Sequence, residues 1–267
     1  MAMIVILSAK ASPGATTAVA AATRTWPASV LAVGADPSGD DLLTGWLGGW
    51  LMNGWIRPER GLLGFATATR HAEHVTADDL RPFIQAIPTT THARIVTGLL
   101  EPGQASSVGP AGWGRLAHAL VDLSRRGAHQ VDVLVDGGRF GPATAWPLLH
   151  AADLVLVAVR PERRAVLAAR PLARLLASRM VSGRLGLAVT TASAQDAREV
   201  ANVLGLPVGL RTPDDPRSAR WFSDGSGGVA PPGRSKLLQV VRGEAQRLHD
   251  ALNMPHPASV RPLAGVS

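Results

Sequence analysis

The sequence contains no cysteine, which excludes disulfides and thiolate zinc sites. It has no uniformly apolar run of about 18 residues, the length a helix needs to cross a bilayer. Its opening apolar run, Met1 to Leu7, is only strand-length and leads into a Gly/Pro loop. The run has neither the core length nor the cleavage site of a secretory signal. A cytoplasmic protein is expected, with peripheral attachment to a membrane left open. No Ser/Gly linker divides the chain, and it has no internal repeat or low-complexity segment. At 267 residues and 46% apolar, one large domain over 1–254 fits better than two small ones. From Pro255 the chain is Pro-rich and aperiodic, so 255–267 is read as a disordered tail.

Lysine is the second scarcity. The formal charge is +7, yet Lys10 and Lys236 are the only lysines, and arginine carries the rest. With abundant Ala, Gly, Pro and Val, this suggests a high-GC coding bias that replaces lysine wherever arginine serves. One of the two survivors lies in the N-terminal Gly/Ser loop. A compact ammonium suits a tight cradle that a guanidinium does not fit.

Strand-like and helix-like segments alternate along the chain. Met3–Leu7, Asp132–Val135 and Leu154–Val159 are continuous apolar runs, as in strands buried on both faces. Val30–Val33, Ala93–Leu99, Leu185–Thr190 and Val208–Leu210 complete the expected strands. Helices are expected at Thr16–Thr25, Ala77–Ile87, Trp113–Arg125, Trp146–Ala151, Ala165–Arg179, Ala194–Leu204 and Lys236–Leu252. The second of these would be capped by Thr76, with Asp78 and Asp79 in its first turn. The alternation implies an α/β fold, a doubly wound and mostly parallel sheet flanked by helices, with ligands at the carboxyl ends of the strands.

A strand, a small-residue loop (Ser8–Thr17) and a helix opening on Thr-Thr is the layout of a phosphate loop. The helix-opening N–H groups and the dipole favour an anion there. The general motif has a lysine directly before the Ser/Thr; here that residue is Ala15. Lys10-Ala11-Ser12-Pro13-Gly14-Ala15-Thr16 instead resembles the deviant P-loop K-G-G-x-G-K-[ST] of the MinD/ParA family. Four more segments resemble that family, in its order. Gly34-Ala35-Asp36-Pro37-Ser38-Gly39-Asp40 is similar to its D-x-D-P-Q-G-N segment. Asp132–Asp136 is similar to its Walker B strand. Ala152–Val157 with Arg160-Pro161-Glu162 resembles its next strand. Leu210-Arg211-Thr212-Pro213-Asp214-Asp215 resembles the loop that borders the adenine. The resemblance covers roughly residues 3–250.

The resemblance implies a P-loop NTPase that binds ATP and Mg2+ and dimerises. Lys10, Ser12, Pro13, Gly14, Ala15, Thr16, Thr17, Thr190, Pro213 and Asp214 would bind nucleotide. Thr16 and Asp136 would ligate Mg2+, and Asp36 would position the attacking water. Lys10 falls on the family's extra lysine, which reaches the partner subunit's nucleotide. Three departures stand out: Ala11 and Ser12 replace glycines, Gly34 replaces an aspartate, and Ala15 replaces the phosphate-binding lysine. The last implies weak or absent hydrolysis unless Lys10, Arg139 or Arg160 compensates.

Three surfaces bear on partners. Trp46, Trp50 and Trp55 fit core packing better than a switch-coupled interface. Arg163, Arg164, Arg170, Arg174, Arg179 and Arg184, in the Arg-rich segment 163–184, fit a solvated face, or a patch for DNA or anionic lipid. The closing helix fits core packing better than membrane targeting. His71 and His74 have no carboxylate company and are read as surface residues. The function expected is a degenerate positioning or regulatory protein of the TadZ/CpaE-like localiser type. It would recruit a membrane-associated machine such as a pilus or secretion apparatus. The alternatives are a ParA-type DNA-partitioning ATPase and a nucleotide-independent scaffold.

Overall fold

The computed structural model describes residues 1–10, 14–88, 90–126, 131–191, 193–224 and 235–253. Ser12, Pro13 and the tail from 255 lie outside them.

Strand β1 (Met3–Ser8) is buried at every position. It leads through the loop to helix α1 (Ala15–Thr25) and then to β2 (Val30–Gly34). A π-helical turn at Leu42–Trp46 and short helices α2 (Gly48–Met52), α3 (Leu62–Ala68) and α4 (Ala77–Leu80) follow. Next come β3 (Gln85–Ala86), β4 (Ala93–Val96) and α5 (Gln104–Arg126). The remainder alternates regularly: β5 (Asp132–Arg139), α6 (Trp146–Ala151), β6 (Leu154–Val159), α7 (Arg163–Arg179) and β7 (Leu185–Thr190). It closes with α8 (Ala194–Leu204), β8 (Val208–Thr212), α9 (Pro216–Ser223) and α10 (Lys236–Asn253).

The eight strands lie in the order β3-β4-β2-β5-β1-β6-β7-β8. Only β3 is antiparallel to its neighbour; every other pairing is parallel. Successive residues of β1 feed opposite cores, as the pleat requires. Met3, Val5 and Leu7 meet Val133, Val135, Val155 and Val157, under Phe65, Leu116, Leu120, Leu148 and Leu172. Ile4 and Ile6 meet Leu134 and Leu156, under Val19, Trp46, Phe222, Leu238 and Val241. Burial on both faces is why these strands read as unbroken apolar runs.

The sequence expectations hold for most of the regular second half of the chain, where α9 was not expected, and slip at several points between residues 42 and 112. Ala77–Leu80 begins with the expected cap, a capping box between Thr76 and Asp79. It ends early because Pro82 sits in a 3-10 turn over Arg81–Phe83. Gln85 then joins the sheet edge and bonds the backbone of Arg57 and Arg60 through its amide. The helix expected from Trp113 begins at Gln104 instead, broken at Gly109 (φ 59°) before Pro110. The tryptophan run divides. Trp46 and Trp50 are buried, Trp46 edge-on to Phe222, whereas Trp55 is 75% exposed. The closing helix α10 packs Leu237, Leu238, Val241 and Leu248 into the core. Among the described residues no helix is long and apolar enough to cross a membrane.

One polar lock closes the edge of the sheet away from the carboxyl ends. Asp132, fully buried at the start of β5, accepts from the Ala2 backbone N–H at 2.7 Å and from Trp26 Nε1 at 2.8 Å. His249 Nδ1 lies 2.7 Å from the same carboxylate, and its ring meets Trp26 edge-on. One carboxylate thus ties the first strand, the end of α1 and the closing helix. Asp132→Ala strands the indole and backbone donors in the core, where each unpaired group costs about 1–3 kcal/mol. Urea unfolding is expected to show a loss of roughly 2–4 kcal/mol for Asp132→Ala. A smaller loss is expected for His249→Ala. A loss under about 0.5 kcal/mol in both would mean that the network carries no stability.

Candidate functional site

The carboxyl ends of β1, β2, β5, β6, β7 and β8 converge on one edge of the sheet, where the parallel topology places loops that can hold a ligand. Gly14 begins α1 with φ 89°, a conformation that suits glycine. A Cβ there would also sit 3.1 Å from Thr190 Oγ1. Thr190 in turn shares a 2.8 Å hydrogen bond with Thr212, so the ends of β7 and β8 brace the loop. Ala15 is buried at the helix opening. The position that holds a lysine in the general motif therefore presents only a methyl group.

Three carboxylates sit at this edge. The carboxylate of Asp136 accepts from the Thr16 hydroxyl and from Gly138 N–H at 3.0 Å. Burial outweighs those bonds, with Asp40 and Asp36 adding repulsion, and lifts its pKa from 3.8 to about 7. Asp40 is also buried and accepts from Gly98 N–H at 2.6 Å and Leu42 N–H at 3.0 Å. Burial raises its pKa to about 6. Asp36 is partly open, accepts from Ser38 N–H at 2.7 Å, and is raised chiefly by burial. Burial is the largest cause of all three upward shifts.

Glycines make room for the carboxylates. A Cβ on Gly34 would come within 2.5–2.7 Å of the Asp40 carboxylate. A Cβ on Gly138 (φ 59°) would overlap Asp36. Gly34 stands where the resembling segment has an aspartate, so here the carboxylate at that spot is delivered from residue 40 instead.

Two adjoining cavities open over this edge. One, about 610 Å3, is lined by Gly14, Ala15, Thr16, Thr17, Asp36, Arg139 and Arg160, among others. The other, about 230 Å3, is bounded by Thr190, Thr212, Pro213 and Asp214, and shares Gly14, Thr17 and Arg160 with the first. Lys10 is exposed and lines neither; it belongs to an adjoining cavity of about 610 Å3 with Arg139, Arg160 and Arg164. The structure therefore gathers Gly14, Ala15, Thr16, Thr17, Asp36, Asp136, Thr190, Pro213 and Asp214 at one place, with Lys10 beside them. Ser12 and Pro13 are not described. The sequence reading missed Asp40, Gly138 and α9, which supplies Phe222 and Ser223 to the larger cavity. Asp215 at the N-cap and Pro216 in the first turn were the available signal for α9. Among the described residues no group of three His, Cys, Asp or Glu side chains converges on a metal position.

No protein-family model matches the sequence, and no curated protein does. Solved structures do. A ParA family ATPase from Chlorobium tepidum TLS superposes with a TM-score of 0.70 at 17% identity, over 92% of this chain and 99% of that one. The septum site-determining protein MinD from Pyrococcus horikoshii OT3, complexed with Mg-ADP, gives 0.64 at 17% identity, over 94% and 97%. An ATP complex of a McdA variant from Cyanothece gives 0.66 at 15% identity, over 96% and 98%. The chain has the MinD/ParA type of P-loop NTPase fold.

The carboxyl pKa values set a pH dependence. Asp136 is raised from 3.8 to about 7, so between those values the folded chain holds a proton that the unfolded chain has lost. That contribution to stability is complete below about pH 4 and disappears as the pH rises through about 7. Asn at 136 is neutral throughout and can still accept from Gly138. The urea midpoints of wild type and Asp136→Asn should draw together toward about pH 4 and separate toward about pH 8, with the variant the more stable. A separation that stays constant across this range would show that Asp136 does not titrate there.

Proposed function

We propose that the chain binds a nucleoside triphosphate with Mg2+ at the carboxyl edge of its sheet and hydrolyses it slowly or not at all. It would act as a nucleotide-dependent positioning or regulatory protein of MinD/ParA type. The observation that carries this is the pairing of Thr16 with buried Asp136 beside two adjoining cavities, with Ala15 where the lysine is expected. The residues fit the ligands. The cavities have a glycine opening at Gly14, helix-start N–H groups and a separate base-sized annex. The hydroxyl and carboxylate of Thr16 and Asp136 are hard oxygen donors of the kind Mg2+ selects. The Mg-ADP bound to the Pyrococcus protein and the ATP bound to McdA support the same ligand class here.

Thr16 and Asp136 would hold the cation side, Gly14 to Thr17 the phosphates, and Thr190, Pro213 and Asp214 the base side. When bound, Mg2+ supplies charge neutralisation at the phosphate oxygens. Asp36 is fixed by Ser38 N–H and the Arg139 backbone, an orientation suited to positioning water. Phosphoryl transfer depends on positioning and electrostatics. Losing one cationic contact costs about 2–4 kcal/mol of transition-state stabilisation, or ~10²–10³ in rate. Binding tolerates that loss better than turnover does.

A homodimer with Lys10 reaching the partner subunit's nucleotide is the expected assembly, and recruitment of a pilus or secretion apparatus in the TadZ/CpaE manner is the specific role we favour. A second reading, DNA partitioning, draws on α7. Arg163, Arg170 and Arg174 lie along one exposed face with Leu167, and none enters an ion pair among the described residues.

Calorimetry with ATP–Mg, ADP and a non-hydrolysable analogue, combined with sizing, tests the proposal. Binding with weak turnover is expected, and Asp36→Ala should abolish that turnover while sparing binding. Ala15→Lys should raise turnover by ~10²-fold. Absence of binding to every nucleotide would leave the scaffold alternative. Salt-sensitive DNA binding that is lost on replacing the α7 arginines would favour partitioning.

A further inference from the structure

The cavity over Ala15 carries an unusual charge balance. Of the described residues that line it, Asp36 and Asp41 are anionic, and only Arg139 and Arg160 are cationic. Asp136 lies buried behind the wall. A triphosphate entering such a cavity meets carboxylates at short range and is repelled by them. With Ala15 in place of a lysine, the cationic side chains on the cavity wall are those at the strand ends, Arg139 and Arg160.

Both arginines are placed for this. Arg139 ends β5, three residues after Asp136, and is exposed. It lines the phosphate-side cavity and the adjoining one that contains Lys10, but not the base-side annex. It enters no ion pair among the described residues. Arg160 follows β6 and lines all three cavities. Its recorded partner is Asp214, at 3.3 Å, with both side chains substantially exposed. An exposed pair of this kind holds a guanidinium only weakly, whereas phosphate oxygens offer it a bidentate, doubly charged acceptor.

Resting on the nucleotide-binding function proposed above, we propose that the guanidinium groups of Arg139 and Arg160 bind the phosphates of the nucleotide in cis and supply the charge that Ala15 lacks. Arg139 faces the phosphate end alone. Arg160 spans the phosphate and base sides and exchanges Asp214 for phosphate when the site fills.

The test is the affinity of the full chain for ATP–Mg, ADP and AMP, measured by calorimetry. Arg139→Gln and Arg160→Gln should each weaken ATP–Mg binding about 10–100-fold, the range for a lost charge-assisted contact. For Arg139→Gln the loss should be greatest for ATP and less than about threefold for AMP, which lacks the distal phosphates. Arg139→Lys keeps the charge and should retain part of the affinity; all these variants should keep the wild-type thermal midpoint. The decisive readout is a double-mutant cycle with Ala15→Lys. A lysine at 15 should restore most of the affinity lost in either glutamine variant and add much less to wild type, because both supply the same charge. Two outcomes overturn the inference while leaving the proposed function standing: wild type binds and neither arginine matters within about threefold, or Ala15→Lys gives the same gain in every background. A wild type that binds no nucleotide overturns both.

Discussion

A carboxylate buried in this fold must be satisfied on the spot or left reactive, and strand β5 carries one of each kind. Asp132 and Asp136 are four residues apart on the same central strand, both shielded from solvent. Asp132 is met by a backbone N–H, an indole N–H and an imidazole. Those partners come from the first strand, the end of the first helix and the last helix, so its burial cost is offset by closing the domain. Asp136 receives a single hydroxyl and a single N–H. Its environment penalises the charged form until something cationic arrives. The strand thereby anchors the chain at one end and presents a buried acid with a raised pKa at the other, at the edge where a doubly wound sheet holds its ligands.

The charge of Asp136 is felt in the loops around it. Asp36 and Asp40 repel it electrostatically, and they occupy their places because residues 138 and 34 lack side chains. The Gly34 and Asp40 pair is informative, because two of the departures from the resembling D-x-D-P-Q-G-N segment, those at 34 and 40, lie against each other in space. The carboxylate of residue 40 occupies the volume that a side chain at 34 would claim, and is held there by the N–H groups of Leu42 and Gly98. A buried acid is kept at the end of β2, but a loop delivers it rather than the strand. A side chain at 34 would clash with the Asp40 carboxylate where it now sits.

What could be read in the sequence follows from which forces are local. β6, β7 and α8 fall where expected because their signals, an unbroken apolar run or a Ser193 cap with Gly205 after the last turn, lie within the segment itself. Between 42 and 112 the Thr76 cap and the strand from Ala93 match the local signals, but other elements are set by tertiary contacts. The π-helical turn at Leu42–Trp46 is pressed against α9 so tightly that a Cβ on Gly45 would lie 2.7 Å from the Phe222 carbonyl oxygen. β3 is two residues long and is recruited to the sheet by pairing with β4, which no local pattern announces. The candidate site was legible as an ordered series of Asp- and Gly-containing turns after buried strands. Arg139 and Arg160 were legible as strand-end cations, but they lie twenty-one residues apart, and it is the β5-β1-β6 order of the sheet that brings both to the same cavities.

The substitution at 15 also changes where charge is stored, and that bears on what the site does best. A lysine at the opening of α1 would be built into the cradle, its ammonium directed at the phosphates before any ligand arrives. A guanidinium on an exposed strand end is not fixed in advance; Arg160 rests on Asp214, and Arg139 has no ion-pair partner among the described residues. Such groups lose rotamer freedom when they close on an anion, at roughly 1.5–2 kcal/mol for a long side chain. Binding tolerates that cost because the contact that follows is charge-assisted. Transition-state stabilisation gains most from dipoles and charges already in place and gains less from ones that must reorganise. Under the proposed function, moving the positive charge from the helix opening to the strand ends favours holding a nucleotide over cleaving it, the balance expected of a protein whose bound state is itself the signal.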